Sequence, residues 1–450
     1  MSDANPEAAS KPQGASFWKA LGPGLLFAGT SVGVSELVQS TQAGANYSFA
    51  LLIVIVAACV IKYPAFAFGP WYAHATGTSL LEGYRRQGKW ALWLFLFVTL
   101  GTVFTVQAVV TAVAASILAS VIGLSWTSPV EFLNLGPVVV ASAVLLATCA
   151  LVLRAGEYKW LDLVNKILVA ALTASTLLAT VLALTKLDLS RATFATPESM
   201  FVSGAAILAV TSLVGWTPSA YDVSIWHSLW FLAHKRETGE NPTLKAARLD
   251  FNIGYWFSSF TSVCFLTLGA CLMFQMSEKF PPDPVGFASA LINLYVKNFG
   301  EWCRPFLGLC AFSAMFSTVL NVTDGFPRVL SMLTSRFSEP ERAELPAAIN
   351  KRIYWIAMGL ISFIAVLILA VVPNSPKTPG GFSFGTLILV ATTLSFLSAP
   401  FIGILSHRAI FADDVPTEMR PSAFMRAFSL FSIVFSSGFA VYFIWLRFFS

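Results

Sequence analysis

The sequence predicts an all-α polytopic membrane protein, and three observations carry the prediction. Of 450 residues, 56% are hydrophobic and only 11% are charged, whereas soluble domains are about a quarter charged. Mean hydropathy is +0.72. The apolar residues fall in continuous runs long enough to cross a bilayer, about 20 residues each. A β-barrel would show alternating segments of about ten instead. A soluble enzyme, a nucleic-acid binder and a disordered scaffold are all excluded.

Charged and Pro/Gly-rich breaks divide the chain into about eleven spans. A polar tail over 1–17, without the n-region and h-region of a cleavable signal, leads into a first span near 19–44, and a second follows near 48–70. Arg85, Arg86 and Lys89 separate the second from a third near 91–122, and a Gly/Pro-containing segment leads to a fourth near 136–153. Arg154 and Lys159 precede the fifth, near 160–184; Lys186 and Arg191 precede the sixth, near 201–233. Lys235 to Arg248 then mark the way into the seventh, near 251–275. Spans eight to eleven lie near 304–332, 352–373, 383–406 and 425–446, with the longest connector at about 333–351. No connector is long enough for a soluble domain and there is no P-loop, so the chain does not drive transport by hydrolysing ATP. With the N-terminus inside, 20 Lys/Arg fall on inner segments and seven on outer ones. That bias predicts a cytoplasmic N-terminus and an outside C-terminus.

Two spans are interrupted. The first, LGPGLLFAGTSVGVSELVQSTQAGA, carries Gly22, Pro23, Gly24, Gly29 and Gly33; the sixth has Gly215 and Pro218 in its middle. Broken helices five spans apart point to a transporter built of inverted repeats with its site at the midplane. The expected units are 18–185 and 200–406, five helices each, followed by a loop and an eleventh helix over 407–450. Carbonyls near Ser31, Val32, Gly215 and Trp216 would suit a cation. Amides after Ser35 and Ser219 would suit an anion.

Ionisable residues at membrane depth default to function. Glu36 follows Ser35 in the first break, and Asp222 lies in span six, where Ser219-x-x-Asp222 also has the pattern of a capping box. Asp324 sits toward the inner end of span eight. Lys62 is expected to pair with an acid or to snorkel inward, and His227 to be a hydrogen-bonded core residue. No acid occurs between Glu82 and Glu131, so span three has no carboxylate for a proton relay. Six cysteines, none in a C-x-x-C pair, are expected to be small core residues. Gly381-Phe382-Ser383-Phe384-Gly385 matches the hydrolase elbow but opens a membrane helix, which is the wrong context for that chemistry.

The segments LGPGLLFAG, QAGANYSFALL and YAHATGTSLLEGYRR resemble the Nramp (natural resistance-associated macrophage protein) family of divalent-metal transporters, and the layout of 18–450 agrees. The resemblance implies a LeuT-like fold: two inverted five-helix repeats (5+5) plus one extra helix. Family members carry Asp-Pro-Gly-Asn in the first break, where this chain has Gly33, Val34, Ser35 and Glu36. Their Met-Pro-His of span six is Thr217, Pro218 and Ser219 here, their polar Gln of span ten falls near Thr392, and their span-three acids are missing.

Losing Met removes the soft ligand that favours transition metals. The resemblance and the break pattern together name Ser31, Gly33, Ser35, Glu36, Gly215, Thr217, Ser219, Asp222 and Thr392 as substrate-binding candidates. Glu36 and Thr217 are the metal ligands if the substrate is a cation. An all-oxygen site suits a hard ion such as Mg²⁺ or Mn²⁺; hydroxyls and amides would also hold bicarbonate or a carboxylate. A channel and a non-transporting sensor are the other classes. No cofactor, enzyme activity or nucleic-acid partner is implied. The expected setting is the lipid bilayer of a bacterial inner membrane, as a monomer.

Overall fold

The computed structural model describes residues 22–124, 135–239, 242–274, 290, 292, 293, 296, 300–338, 350–372 and 384–449. The tail over 1–17, the start of the first span, most of the longest connector and Gly381 to Ser383 lie outside the described residues.

Span one is broken, as its glycines predict. Helix α1 (Pro23–Ser31) begins with proline at its first position, where no N–H is needed. The chain leaves helical geometry at Val32, re-enters through a π-helical turn at Ser35–Ser40, and continues as α2 (Thr41–Tyr47). Such π turns close their hydrogen bonds between residues five apart and recur at functional sites. Span two is α3 (Leu52–Thr76), ending six residues past its apolar run and stopped by Gly77 at φ 68°. A short helix α4 (Leu80–Arg86) leads into span three, α5 (Lys89–Ile122).

Spans four and five form one helical run, α6 (Pro137–Leu184), interrupted only at Glu157, whose φ of 46° breaks the ladder. Span six is the second broken one, with α7 (Gly204–Trp216) and α8 (Val223–Thr238) on either side of Thr217–Asp222. Spans seven to eleven are α9 (Leu244–Leu272), α10 (Arg304–Ser338), α11 (Lys351–Val371), α12 (Phe384–Ile410) and α13 (Ala423–Phe448). α9 starts seven residues ahead of its apolar run because the Thr243 hydroxyl caps it at the Ala246 N–H. Asn350 and Ser422 cap α11 and α13 likewise. The described residues contain no strand. Among the described residues, seven helices are each apolar and long enough to cross a bilayer: α3, α5, α6, α9, α11, α12 and α13. Large apolar side chains such as Phe97, Phe363 and Val434 stand exposed on the periphery, as a lipid-facing surface requires.

The halves of span one lie at the centre. α1 packs on α6, α8, α9 and α10, and glycines let main chains touch. A Cβ on Gly24 would strike the Asp250 carbonyl, and one on Gly254 the Gly24 carbonyl. Above the break, Gly44 faces the Leu266 carbonyl and Gly269 the Thr41 carbonyl. Close approach through small residues is the usual basis of helix association in lipid. Side-chain amides complete the contact: Asn165 donates to the Leu25 carbonyl at 2.6 Å, and Asn321 to Asn165 at 2.8 Å.

Asp324 is fully engaged. Its two oxygens accept Arg328 Nη2 and Tyr354 at 2.7 Å each, and Arg328 Nε and Trp230 Nε1 at 2.8 Å each. This acid therefore ties α10 to α8 and α11 and has no lone pair aimed at a cavity, so its depth in the membrane reflects a buried ion pair.

Candidate ion site at the two helix breaks

The breaks of spans one and six face one another across a cavity. Its lining includes Thr30, Ser31, Val34 and Ser35 from span one, Trp216, Ser219, Asp222 and Trp226 from span six, and Thr318 from α10. Val106, Val110 and Val322 close it with apolar surface. Sequence candidates Ser31, Ser35, Ser219 and Asp222 are thus brought together, while Thr30, Trp226 and Thr318 are additions. The polar Ser317-Thr318 pair inside an apolar helix was the signal for Thr318.

Asp222 supplies the cavity's carboxylate. It stands at the start of α8 with helical dihedrals, φ −63° and ψ −22°, and makes no side-chain capping bond. In a capping box Ser219 would be the N-cap and Asp222 the third helical residue, but the helix begins only after Asp222. The capping box suggested by Ser219 and Asp222 is therefore not formed. The Ser31 hydroxyl and the Trp226 indole N–H are buried without a protein partner, and both residues border the cavity.

Glu36 lies behind that lining. Its carboxylate accepts the Gly33 N–H at 3.1 Å, the Ser35 hydroxyl, and the Ser262 hydroxyl at 3.1 Å from α9. The amide exposed by the first break is thus filled by the chain's own acid. Gly33 has no Cβ because Thr318 occupies the space: a Cβ there would lie 2.6 Å from its Oγ1.

The break carbonyls also have protein donors. Ser31 O accepts the Gly33 N–H at 2.9 Å, and Val32 O accepts the Thr318 hydroxyl at 3.2 Å. Thr318 and Ser317 both donate to Gly29 O, at 3.1 and 3.0 Å. In span six, Lys62 donates to the carbonyls of Val214, Gly215 and Ser219 at 2.6, 3.1 and 3.2 Å. Lys62 makes neither of the contacts expected of it: it is buried, 3% exposed, and its partners are carbonyls. Three acceptors converging on one side chain outcompete a route to the membrane surface.

Thr217 and Thr392 sit apart from the cavity. The Thr217 hydroxyl donates to Leu213 O at 2.7 Å, and the peptide bond between Thr217 and Pro218 is cis. Thr392 contacts Ser212 at 2.7 Å, and Ser212 accepts Gln39 Nε2 at 2.7 Å, which joins α12, α7 and the π turn. Gly215 packs on the Thr392 carbonyl, where a Cβ would not fit. His227 is buried beside Phe27 and Phe251, with both ring nitrogens unpartnered rather than hydrogen-bonded. Cys59, Cys149, Cys264 and Cys271 are free and buried.

Comparison with known proteins places this geometry. The family described as natural resistance-associated macrophage protein-like (Nramp) matches residues 24–446. An uncharacterized protein of Pasteurella multocida strain Pm70 is 29% identical over 426 residues, covering 94% of this chain and 92% of its own. Among solved structures, a manganese transporter of Eremococcus coleocola bound to an aromatic bis-isothiourea compound is similar with a TM-score of 0.69. It is 15% identical, over 97% of this chain and 88% of its own. MhsT in complex with L-phenylalanine has a TM-score of 0.66 at 15% identity, over 98% of this chain and 100% of its own.

Proposed function

The chain belongs to the Nramp family, and from that premise we propose that it is a secondary transporter or uniporter of a hard divalent cation, Mg²⁺ or Mn²⁺. One observation carries the choice: Asp222 lines a cavity between the two breaks together with the hydroxyl residues Thr30, Ser31, Ser35 and Ser219. Every donor in that set is a hard oxygen and there is no thioether, which suits Mg²⁺ or Mn²⁺ above softer ions. The manganese transporter of E. coleocola, similar in fold, supports a divalent substrate. Asp222 is the charged ligand, with Ser31, Ser35 and Ser219 completing the shell directly or through retained water. Glu36 acts from behind by holding Gly33 and Ser35, and Thr217, Gly215 and Thr392 shape the break.

Transport proceeds by rocking one helix bundle against another about this fixed site. α5 brings no acid, so the ion moves without a span-three proton relay. The Lys/Arg distribution supports a cytoplasmic N-terminus, and the chain works as a monomer in a bacterial inner membrane.

A small anion such as bicarbonate is favoured by a different observation, the unpartnered indole N–H of Trp226, which can only donate. Thermal stabilisation of the purified protein decides between the two, because ligands of the folded state raise its melting temperature. Mg²⁺ or Mn²⁺ is expected to raise it in wild type and not in Asp222→Asn. A rise with bicarbonate or formate alone refutes the cation. Proteoliposomes that pass none of these ions leave a sensor.

A further inference from the structure

Lys62 does something that family membership does not require. It projects from the middle of α3, buried, into the C-terminal end of α7, where helix geometry leaves carbonyls unpaired and the macrodipole places partial negative charge. Its nitrogen has three carbonyl partners, Val214, Gly215 and Ser219. A neutral amine has only two N–H groups; three acceptors are matched by the three donors of an ammonium. No carboxylate pairs with it among the described residues, and the Tyr221 ring, 5.0 Å away, adds a cation–π contact.

The surroundings explain why this cation is covalently attached. Beside Lys62 lies a mostly apolar space whose walls include Ala58, Ile61, Phe396, Phe435 and Phe439. Those apolar walls offer a free ion little to bind, whereas the tethered ammonium is held at the carbonyls by its own chain. Ser219 meanwhile belongs to two environments: its carbonyl holds Lys62 and the residue borders the ion cavity with Asp222.

We propose that Lys62 is a built-in cation. Its ammonium takes the place of a mobile ion at the carbonyl end of α7, and by fixing the Ser219 carbonyl it positions Ser219 and Asp222 around the cavity. Only the second half of this statement rests on the ion-transport proposal. Lys62 is thereby a positioning residue, and the sixth-span break has no vacancy for a second transported cation.

The experiment measures melting temperature of the purified full chain in detergent, with methylammonium chloride or choline chloride present from solubilisation at equal ionic strength. Lys62→Ala leaves three buried carbonyls unpaired and melts roughly 5 °C or more below wild type. Methylammonium restores part of that loss in a saturable way, and choline, whose quaternary nitrogen has no N–H to donate, does not. Wild type responds equally to the two salts. Lys62→Met, which fills the space without donors, melts as low and is restored by neither. If Lys62→Ala does not fold, the order wild type, Lys62→Gln, Lys62→Met decides, because glutamine keeps two N–H donors. A Lys62→Met protein as stable as wild type, or equal restoration by choline, overturns the proposal. Mg²⁺ and Mn²⁺ titrations of the same samples keep the two proposals apart: a wild type that ignores both ions removes the transport assignment and leaves the methylammonium result standing.

Discussion

Asp250 and Gly24 hold α1 in place: the carboxylate of Asp250 accepts the Gly24 N–H at 2.7 Å and, through its second oxygen, the Gly22 N–H at 3.1 Å. The acid comes from α9, 226 residues away in sequence. It satisfies donors that the first turn of any helix leaves over, and it adds negative charge where the macrodipole is positive.

Replacing it exposes that role. Asp250→Ala leaves two buried N–H groups without acceptors and costs on the order of 2 kcal/mol. Asp250→Asn keeps one acceptor and loses about half as much. Chemical denaturation of the two variants beside wild type measures both, and an Asp250→Ala protein of wild-type stability would show that α1 is held by packing alone.

The two acids at the breaks are predicted to differ. Asp222→Asn abolishes stabilisation by Mg²⁺ and Mn²⁺ with little change in the melting temperature of the ion-free protein. Glu36→Gln does the reverse: it weakens three charge-assisted hydrogen bonds, for a loss of about 1.5–3 kcal/mol, while the ion still shifts melting upward. Identical ion responses in the two variants would sink this division of roles.

Gly33 marks where the family places its aspartate, and here the space belongs to Thr318. Gly33→Asp is expected to destabilise by about 1–3 kcal/mol through overpacking. Adding Thr318→Ala relieves the collision and presents a second carboxylate to the ion, so the double variant recovers stability and binds Mn²⁺ more tightly than wild type. A strictly additive double-mutant cycle in stability would mean the two positions do not collide.

The buried pair of Asp324 and Arg328 offers a check that leaves the ion site untouched. Arg328→Met strands a buried carboxylate and costs about 3–5 kcal/mol. Asp324→Asn introduced with it removes the stranded charge and recovers part of the loss, read as a positive coupling in a double-mutant cycle. Ion-induced stabilisation persists in the double variant, because neither residue borders the cavity.

The helices were legible because each is written locally. Apolar runs mark the spans, Gly33 and Pro218 lie at the interruptions, and Thr243, Asn350 and Ser422 begin helices through their own hydroxyl or amide oxygens. The site was legible in part. Ser31, Ser35, Ser219 and Asp222 meet as expected because the breaks that contain them converge. Lys62, Asp324 and Thr217 escaped because their contacts depend on which way a side chain turns. Lys62 finds carbonyls 152 to 157 residues away, and no local pattern encodes that distance. Thr217 shows the opposite failure: its hydroxyl turns back to Leu213, one helical turn behind, a competitor available to any threonine near a helix end.

α9 touches span one on both sides of its break, through Gly24 and Gly254 below and through Thr41, Gly44 and Gly269 above. It acts as a splint across a fracture. A limb so splinted does not bend at the break unless one fragment leaves the splint, and main chains in direct contact leave no flexible side chain to take up the slack. Opening the cavity by swinging α1 alone would therefore tear the Gly24–Gly254 contact, whereas α1 and α9 travelling together would keep it. The glycines thus select which pieces of the protein are free to move.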